Sequence, residues 1–283
     1  MHALGVDWVR QDFTSLGPGR IDERRWDMIF RRAALARIHL LPLFSNDEYK
    51  DHVVVAGAVA RYGPGGVFWR LHPRLDDRYA ATWWEVGNEP WNTTTPQDYA
   101  VAYKDAVAAG RRANPRARFL IAAFSAWPRP GGGVYGSWVE PMYKAVPDLN
   151  RYVDGWTDHP YCNGLDPDVW DPGAVTWYWQ FKQFTRVHRE FARHGAGDLP
   201  MWITEFGYPT EGDRSVDRAT QASYLENAVR ILTGYSYARA LFVYQLQDWG
   251  PRDGDREHYF GVVGADGARK PAFRILRKVA SAR

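Results

Sequence analysis

"ATWWEVGNEPWN", residues 81–92, decides how the chain is read. A β-prone run, Thr82-Trp83-Trp84-Glu85-Val86, stops abruptly at Gly87-Asn88-Glu89-Pro90. Gly, Asn and Pro punctuate turns, so the run ends where polar side chains begin. A carboxylate between an amide and a proline at the mouth of a buried strand has two readings. It is a tolerated turn residue, or it is held there for acid–base work.

The same layout recurs along the chain. Strand-like runs fall at residues 4–11, 37–44, 82–88, 118–124, 153–159, 200–206 and 240–247. Segments of helical period lie between them, at 22–36, 48–62, 96–113, 136–146, 173–195 and 215–234. Near-continuous apolar strands alternating with helices predict a parallel sheet covered by helices. Repeated βα units on one core mean a β/α barrel or a doubly wound sheet. Polar and aromatic residues gather at the strand ends: Arg10, Asn88-Glu89, His159, Glu205, and Tyr244 to Trp249. A barrel builds its site at that face from several strands, whereas a doubly wound sheet concentrates function at one switch point. The pattern therefore predicts a (β/α)₈ barrel. No repeat, low-complexity tract or linker divides residues 1–283, which read as one domain.

Composition narrows the partners. The 283 residues carry 36 Lys+Arg against 33 Asp+Glu, a net charge of +3 without a basic run, which gives no case for nucleic acid. No stretch approaches the ~18 consecutive apolar residues of a membrane span. The N-terminal "MHALGVDWVRQDF" lacks the charged-then-apolar form of a signal peptide. One cysteine, Cys162, rules out an intramolecular disulfide. The chain carries 14 Trp, 16 Tyr and 13 Phe, and 14 Trp is more than a core of this size usually needs. Flat rings with a polar edge suit the C–H faces of sugars, which makes an oligo- or polysaccharide one candidate substrate beside the plainer reading of a large aromatic core.

Glu205 repeats the opening theme in "LPMWITEFGYPT", a hydrophobic strand ending in a carboxylate before a Gly/Pro turn. A buried ionisable group is costly unless paired or used, and two of them on strands of one sheet are hard to dismiss. Glycoside hydrolysis needs two carboxyl groups flanking the sugar bond, with their pKa values set apart by environment.

"WWEVGNEPWN" and "MWITEFGYPT" resemble the Asn-Glu-Pro and Thr-Glu-Phe-Gly motifs of clan A glycoside hydrolases, the retaining (β/α)₈ enzymes. The likeness is greatest to glycoside hydrolase family 39 and its bacterial exopolysaccharide-cleaving relatives. It extends through "LGVDWVRQDF", "AVARYGPG", "YAVAYKDAVAAGRRANPRARF", "DGWTDHPY" and "HYFGVVGADGARKPAF". The resemblance makes Glu89 the acid/base and Glu205 the nucleophile, with no cofactor. Asn88 would hold the sugar 2-hydroxyl. Arg10 would lie beneath the nucleophile; a salt bridge to Glu85 or Asp12 is its other reading, and the two do not exclude each other. His159 and Tyr161 become hydrogen-bond partners of Glu205 or the sugar, and Trp249 a sugar platform beside Tyr244. Trp91, Trp127 and Trp138 would line a groove, while Trp8, Trp26 and Trp83 are read as packing residues. A carbohydrate-binding barrel without turnover and a transglycosylase are the alternatives.

Other signals are set aside. "GGGVYG" (131–136) fits a dinucleotide pattern, but Pro128 and Pro130 separate it from the preceding strand, and a loop over the cleft is expected instead. The histidines of "HREFARH", His188 and His194, are six apart and face different sides of a helix, so no metal site is expected. The resemblance places the acid/base on the fourth barrel strand and the nucleophile on the seventh. Here they end the third and sixth visible strands. The first strand is therefore missing from the count, either absent from this chain or dispensed with in closing the barrel. Gly87 stands where relatives often carry Trp, which would widen the site beside Asn88.

Overall fold

In the computed structural model, residues 2–45, 47–124, 137–174, 177–250 and 254–281 are described. The chain folds as two compact units. The larger comprises Asp7–Thr157 and Glu190–Pro200; the smaller comprises Met1–Val6, Asp158–Arg189 and Met201–Arg283.

Seven strands are present among the described residues: β1 (Trp8–Asp12), β2 (His39–Phe44), β3 (Trp83–Val86), β4 (Arg118–Ala122), β5 (Gly155–Asp158), β6 (Met201–Phe206) and β7 (Ala238–Val243). They succeed one another in sheet order as in sequence, and the pairings β1–β2, β2–β3, β3–β4, β4–β5 and β6–β7 are all parallel. The helices are α1 (Glu23–Leu35), α2 (His52–Tyr62), α3 (Val67–Leu71), α4 (Pro96–Ala113), α5 (Val139–Ala145), α6 (Phe184–Arg193), α7 (Arg218–Leu232) and α8 (Pro271–Ser281). Parallel strands followed in turn by helices, seven times where the full class has eight, make this a (β/α)₈-type barrel short of one strand.

Local chemistry sets the boundaries. Asp22 caps α1 through the Arg25 N–H, Asp51 caps α2 through Val53 and Val54, and Thr95 caps α4 just before Pro96. Gly5 takes φ +71°, so the run expected from residue 4 is a short 3₁₀ turn (His2–Leu4) and β1 begins only at Trp8. Expected helices 48–62 and 173–195 likewise start with 3₁₀ turns and become α-helical at His52 and Phe184.

Aromatic rings fill the larger unit. Phe13 stacks on Trp26, Phe30 on Tyr62 and Phe44 on Trp84, at centroid distances of 4.2, 4.3 and 5.3 Å. Trp26, Trp84, Trp138, Trp156 and Trp202 are fully buried, so much of the aromatic excess read as sugar-binding surface is core. Trp138 is among them and does not line a groove; its ring packs near Tyr99 and Phe124. Trp8 stacks on His39, and Trp83 lies under the Arg118 guanidinium. Trp127 and the glycine-rich residues 131–136, expected as a loop, lie outside the described residues. His188 stacks on Tyr237 and His194 on Tyr143.

Trp26 also donates its indole N–H to the Thr14 carbonyl at 3.0 Å, tying the loop after β1 to the core. Trp26→Ala empties that volume and is expected to cost about 3–5 kcal/mol of stability in urea unfolding.

Candidate active site

The larger unit presents Glu89 at the exit of β3. Gly87 turns the chain with φ +86°, and Glu89 then adopts a left-handed conformation (φ +43°, ψ +53°) before Pro90 opens a 3₁₀ turn. A non-glycine residue held there stores about 1–3 kcal/mol of strain, which the surrounding structure must overcome. The half-buried Glu89 carboxylate accepts a long hydrogen bond, 3.4 Å, from Asn92 Nδ2.

Gly87 does not widen the site. A Cβ built there would meet Tyr99 Cε2 at 2.8 Å, so the Tyr99 ring already occupies that space. The Tyr99 hydroxyl donates to the Val86 carbonyl at 2.5 Å and accepts from the Ala122 N–H at 2.8 Å, joining the ends of β3 and β4.

Arg10, from β1, pairs with Glu85. Its Nε and Nη2 donate to the two Glu85 carboxylate oxygens at 2.5 and 3.2 Å, and Nη2 donates to Asn88 Oδ1 at 2.8 Å. Glu85 is fully buried, and a buried charge is tolerable when met by charge-assisted hydrogen bonds. Arg10 and Asn88 are thus brought together. Trp91 is half-buried, its ring edge-on to Phe124.

In the smaller unit, β6 delivers Glu205. Glu205 Oε2 accepts from the Tyr161 hydroxyl at 3.0 Å and lies 3.8 Å from His159 Nδ1. The other ring nitrogen of buried His159 is 3.0 Å from Thr204 Oγ1, which fixes the ring's orientation. His159, Tyr161 and Glu205 therefore form one cluster, with Thr204 an addition that the sequence pattern did not flag.

Asp158 lies directly behind this cluster. It is wholly buried, its Oδ1 accepts the His159 N–H at 2.8 Å, and its Oδ2 has no hydrogen-bond partner. Burial raises its carboxyl from 3.8 to about 7, against a partial opposing effect of His159.

Past β7, the Tyr244–Gln245 peptide is cis, and Gly207 lets the two strand exits approach: a Cβ there would sit 2.0 Å from the Tyr244 carbonyl oxygen. Tyr244 is edge-on to Phe260, and Trp249 is 64% exposed near Tyr244 and His258. The loop carrying Trp249 is pinned by Lys270, only 1% exposed. Its ammonium donates to Asp248 at 2.9 Å, to Thr210 Oγ1 at 2.8 Å and to the Tyr259 carbonyl at 3.3 Å. Burial lowers the Lys270 pKa, partly offset by Asp248. The Lys-Pro of the sequence pattern was the only signal for this anchor.

The Asp158 carboxyl binds its proton more tightly folded than unfolded. Its contribution to stability is therefore full below about pH 4 and declines as pH rises to about 7. Asp158→Asn removes that titration, so its melting temperature relative to wild type should rise between pH 5 and pH 8. Thermal unfolding at the two pH values measures this; any fixed cost of the amide cancels in the difference.

No protein-family model matches the sequence, and no curated protein does. Solved structures do match. A family 39 glycoside hydrolase from the gut symbiont Bacteroides cellulosilyticus superposes with a TM-score of 0.72 at 20% identity, over 99% of this chain and 59% of that one. A glucosidase from Croceicoccus marinus gives 0.68 at 15% identity, over 99% and 62%. The family 39 enzyme from Xanthomonas axonopodis pv. citri gives 0.63 at 17%, over 99% and 61%. The chain thus spans about three fifths of the length of these proteins. Across that span it has the fold of the family 39 glycoside hydrolases.

Proposed function

We propose that the protein is a retaining glycoside hydrolase that cleaves β-linked glycosidic bonds by double displacement. The observation supporting this most directly is the setting of Glu205. A carboxylate at the end of a hydrophobic strand, receiving a tyrosine hydroxyl with a fixed imidazole beside it, suits a nucleophile kept ionised. Glu205 attacks the anomeric carbon and forms a glycosyl ester as the aglycone departs. Glu89 protonates the leaving oxygen and afterwards takes a proton from the incoming water, which attacks the anomeric carbon, breaks the ester and frees the Glu205 carboxylate. Retention requires the two carboxyls to stand about 5–5.5 Å apart when substrate is bound.

The strained backbone of Glu89 favours the same reading, because strain of this kind collects at working sites. Exposed Trp249 and half-buried Trp91 offer rings for sugar units on a polysaccharide, consistent with endo action. The glycosidase names of the superposed proteins agree with a carbohydrate substrate.

The test is hydrolysis of a β-linked polysaccharide and aryl glycoside panel, with product anomers followed by NMR. Wild type should yield the retained anomer first. Glu205→Gln should abolish turnover on every substrate. Glu89→Gln should lose about 10²–10⁴-fold in kcat/KM on polysaccharide, and much less in kcat/KM on aryl glycosides whose leaving groups need no proton, while kcat on the latter still falls because the second step lacks its base. Sugar binding without turnover would instead establish a carbohydrate-binding barrel, and products longer than the substrate a transglycosylase.

A further inference from the structure

We propose that Glu85, a residue that touches no substrate, is a positioning residue for this reaction, acting through Arg10 on the side-chain amide of Asn88. The inference rests on the glycosidase reading above and adds to it a residue that the two-carboxylate mechanism does not use.

The geometry runs in one direction. Glu85 lies inside β3, four residues before Glu89 and fully buried. It holds Arg10 at two nitrogens, and one of these, Nη2, also holds Asn88 Oδ1. A guanidinium carries only donors, so the Asn88 atom facing it must be the amide oxygen. The Asn88 NH₂ is then left to donate elsewhere, to a lone pair such as that of a sugar hydroxyl. Were the amide turned by half a rotation, an acceptor would face the sugar in place of two donors. Asn88 is half-buried in the turn after Gly87, and nothing about an asparagine side chain by itself prefers one orientation. Arg10 makes the choice, and Glu85 fixes Arg10.

A buried ion pair can also serve the fold alone, so the test must register something that fold stability does not move. The substrates are two aryl β-glycosides of the sugar the panel identifies, differing only in a hydroxyl or a hydrogen at C2. Glu85→Gln keeps the shape of the side chain but turns an acceptor into an NH₂ group facing the donors of Arg10. Glu85→Asp keeps the buried charge, and with it the fold, but withdraws the carboxylate by one methylene. Both variants should lose about tenfold or more in kcat on the 2-hydroxy glycoside, and stay within about twofold of wild type on the 2-deoxy glycoside. In an Asn88→Ala background, adding Glu85→Asp should cost nothing further on the 2-hydroxy substrate.

Equal losses on both glycosides, or a further loss in the Asn88→Ala background, would overturn the role of Glu85 while leaving the glycosidase reading intact. A folded wild type that cleaves no glycoside would remove both. If Glu85→Gln does not fold, Glu85→Asp alone decides the question.

Discussion

Glu85 is a charge that β3 cannot bury unless a cation meets it, and much of the larger unit's site is arranged around that requirement. The cation comes from β1, two strands away: Arg10 lies level with Leu41 of β2, and Glu85 pairs in register with Leu43. The guanidinium therefore reaches across β2 to find its carboxylate. A register slip in either ladder would turn Arg10 or Glu85 to the opposite face of the sheet and leave both charges stranded. The same contact that satisfies the charge reaches Asn88, so strand register and site geometry are secured by one side chain.

The smaller unit solves its own version of the problem with hydrogen bonds. Glu205 takes a tyrosine hydroxyl, His159 is steered by Thr204, and the Lys270 ammonium is enclosed by Asp248, Thr210 and a backbone carbonyl. Asp158 is the exception. One of its oxygens is unsatisfied in a fully buried site, and its proton affinity rises accordingly.

Much of this was legible in the sequence for plain reasons. Strands such as β2 declare themselves because a covered sheet favours apolar runs, here Leu40 to Phe44. Errors came where a single residue overrode the pattern, as Gly5 did in delaying β1 to Trp8. Helix α8 falls outside the expected helices, although Pro271 at its first turn marks a start. Composition misled about tryptophan, because counting rings cannot separate the buried Trp138 from the exposed Trp249. The strand-end carboxylates stand out locally, but their partners do not. Arg10 and Glu85 are 75 residues apart and Lys270 and Asp248 22, and only folding selects those pairs from the many charges available.

The Tyr99 ring beneath Gly87 has a consequence for anyone reshaping the protein. Position 87 is not a free variable, because its backbone sits at φ +86° and its side-chain space is taken by a tyrosine that also joins β3 to β4. A library randomised at 87 alone would return glycine. Grafting a bulky residue there means first trimming residue 99, then finding new partners for the Val86 carbonyl and the Ala122 N–H. A bulky residue at position 87 therefore demands coordinated change on two elements, the β3 exit and α4.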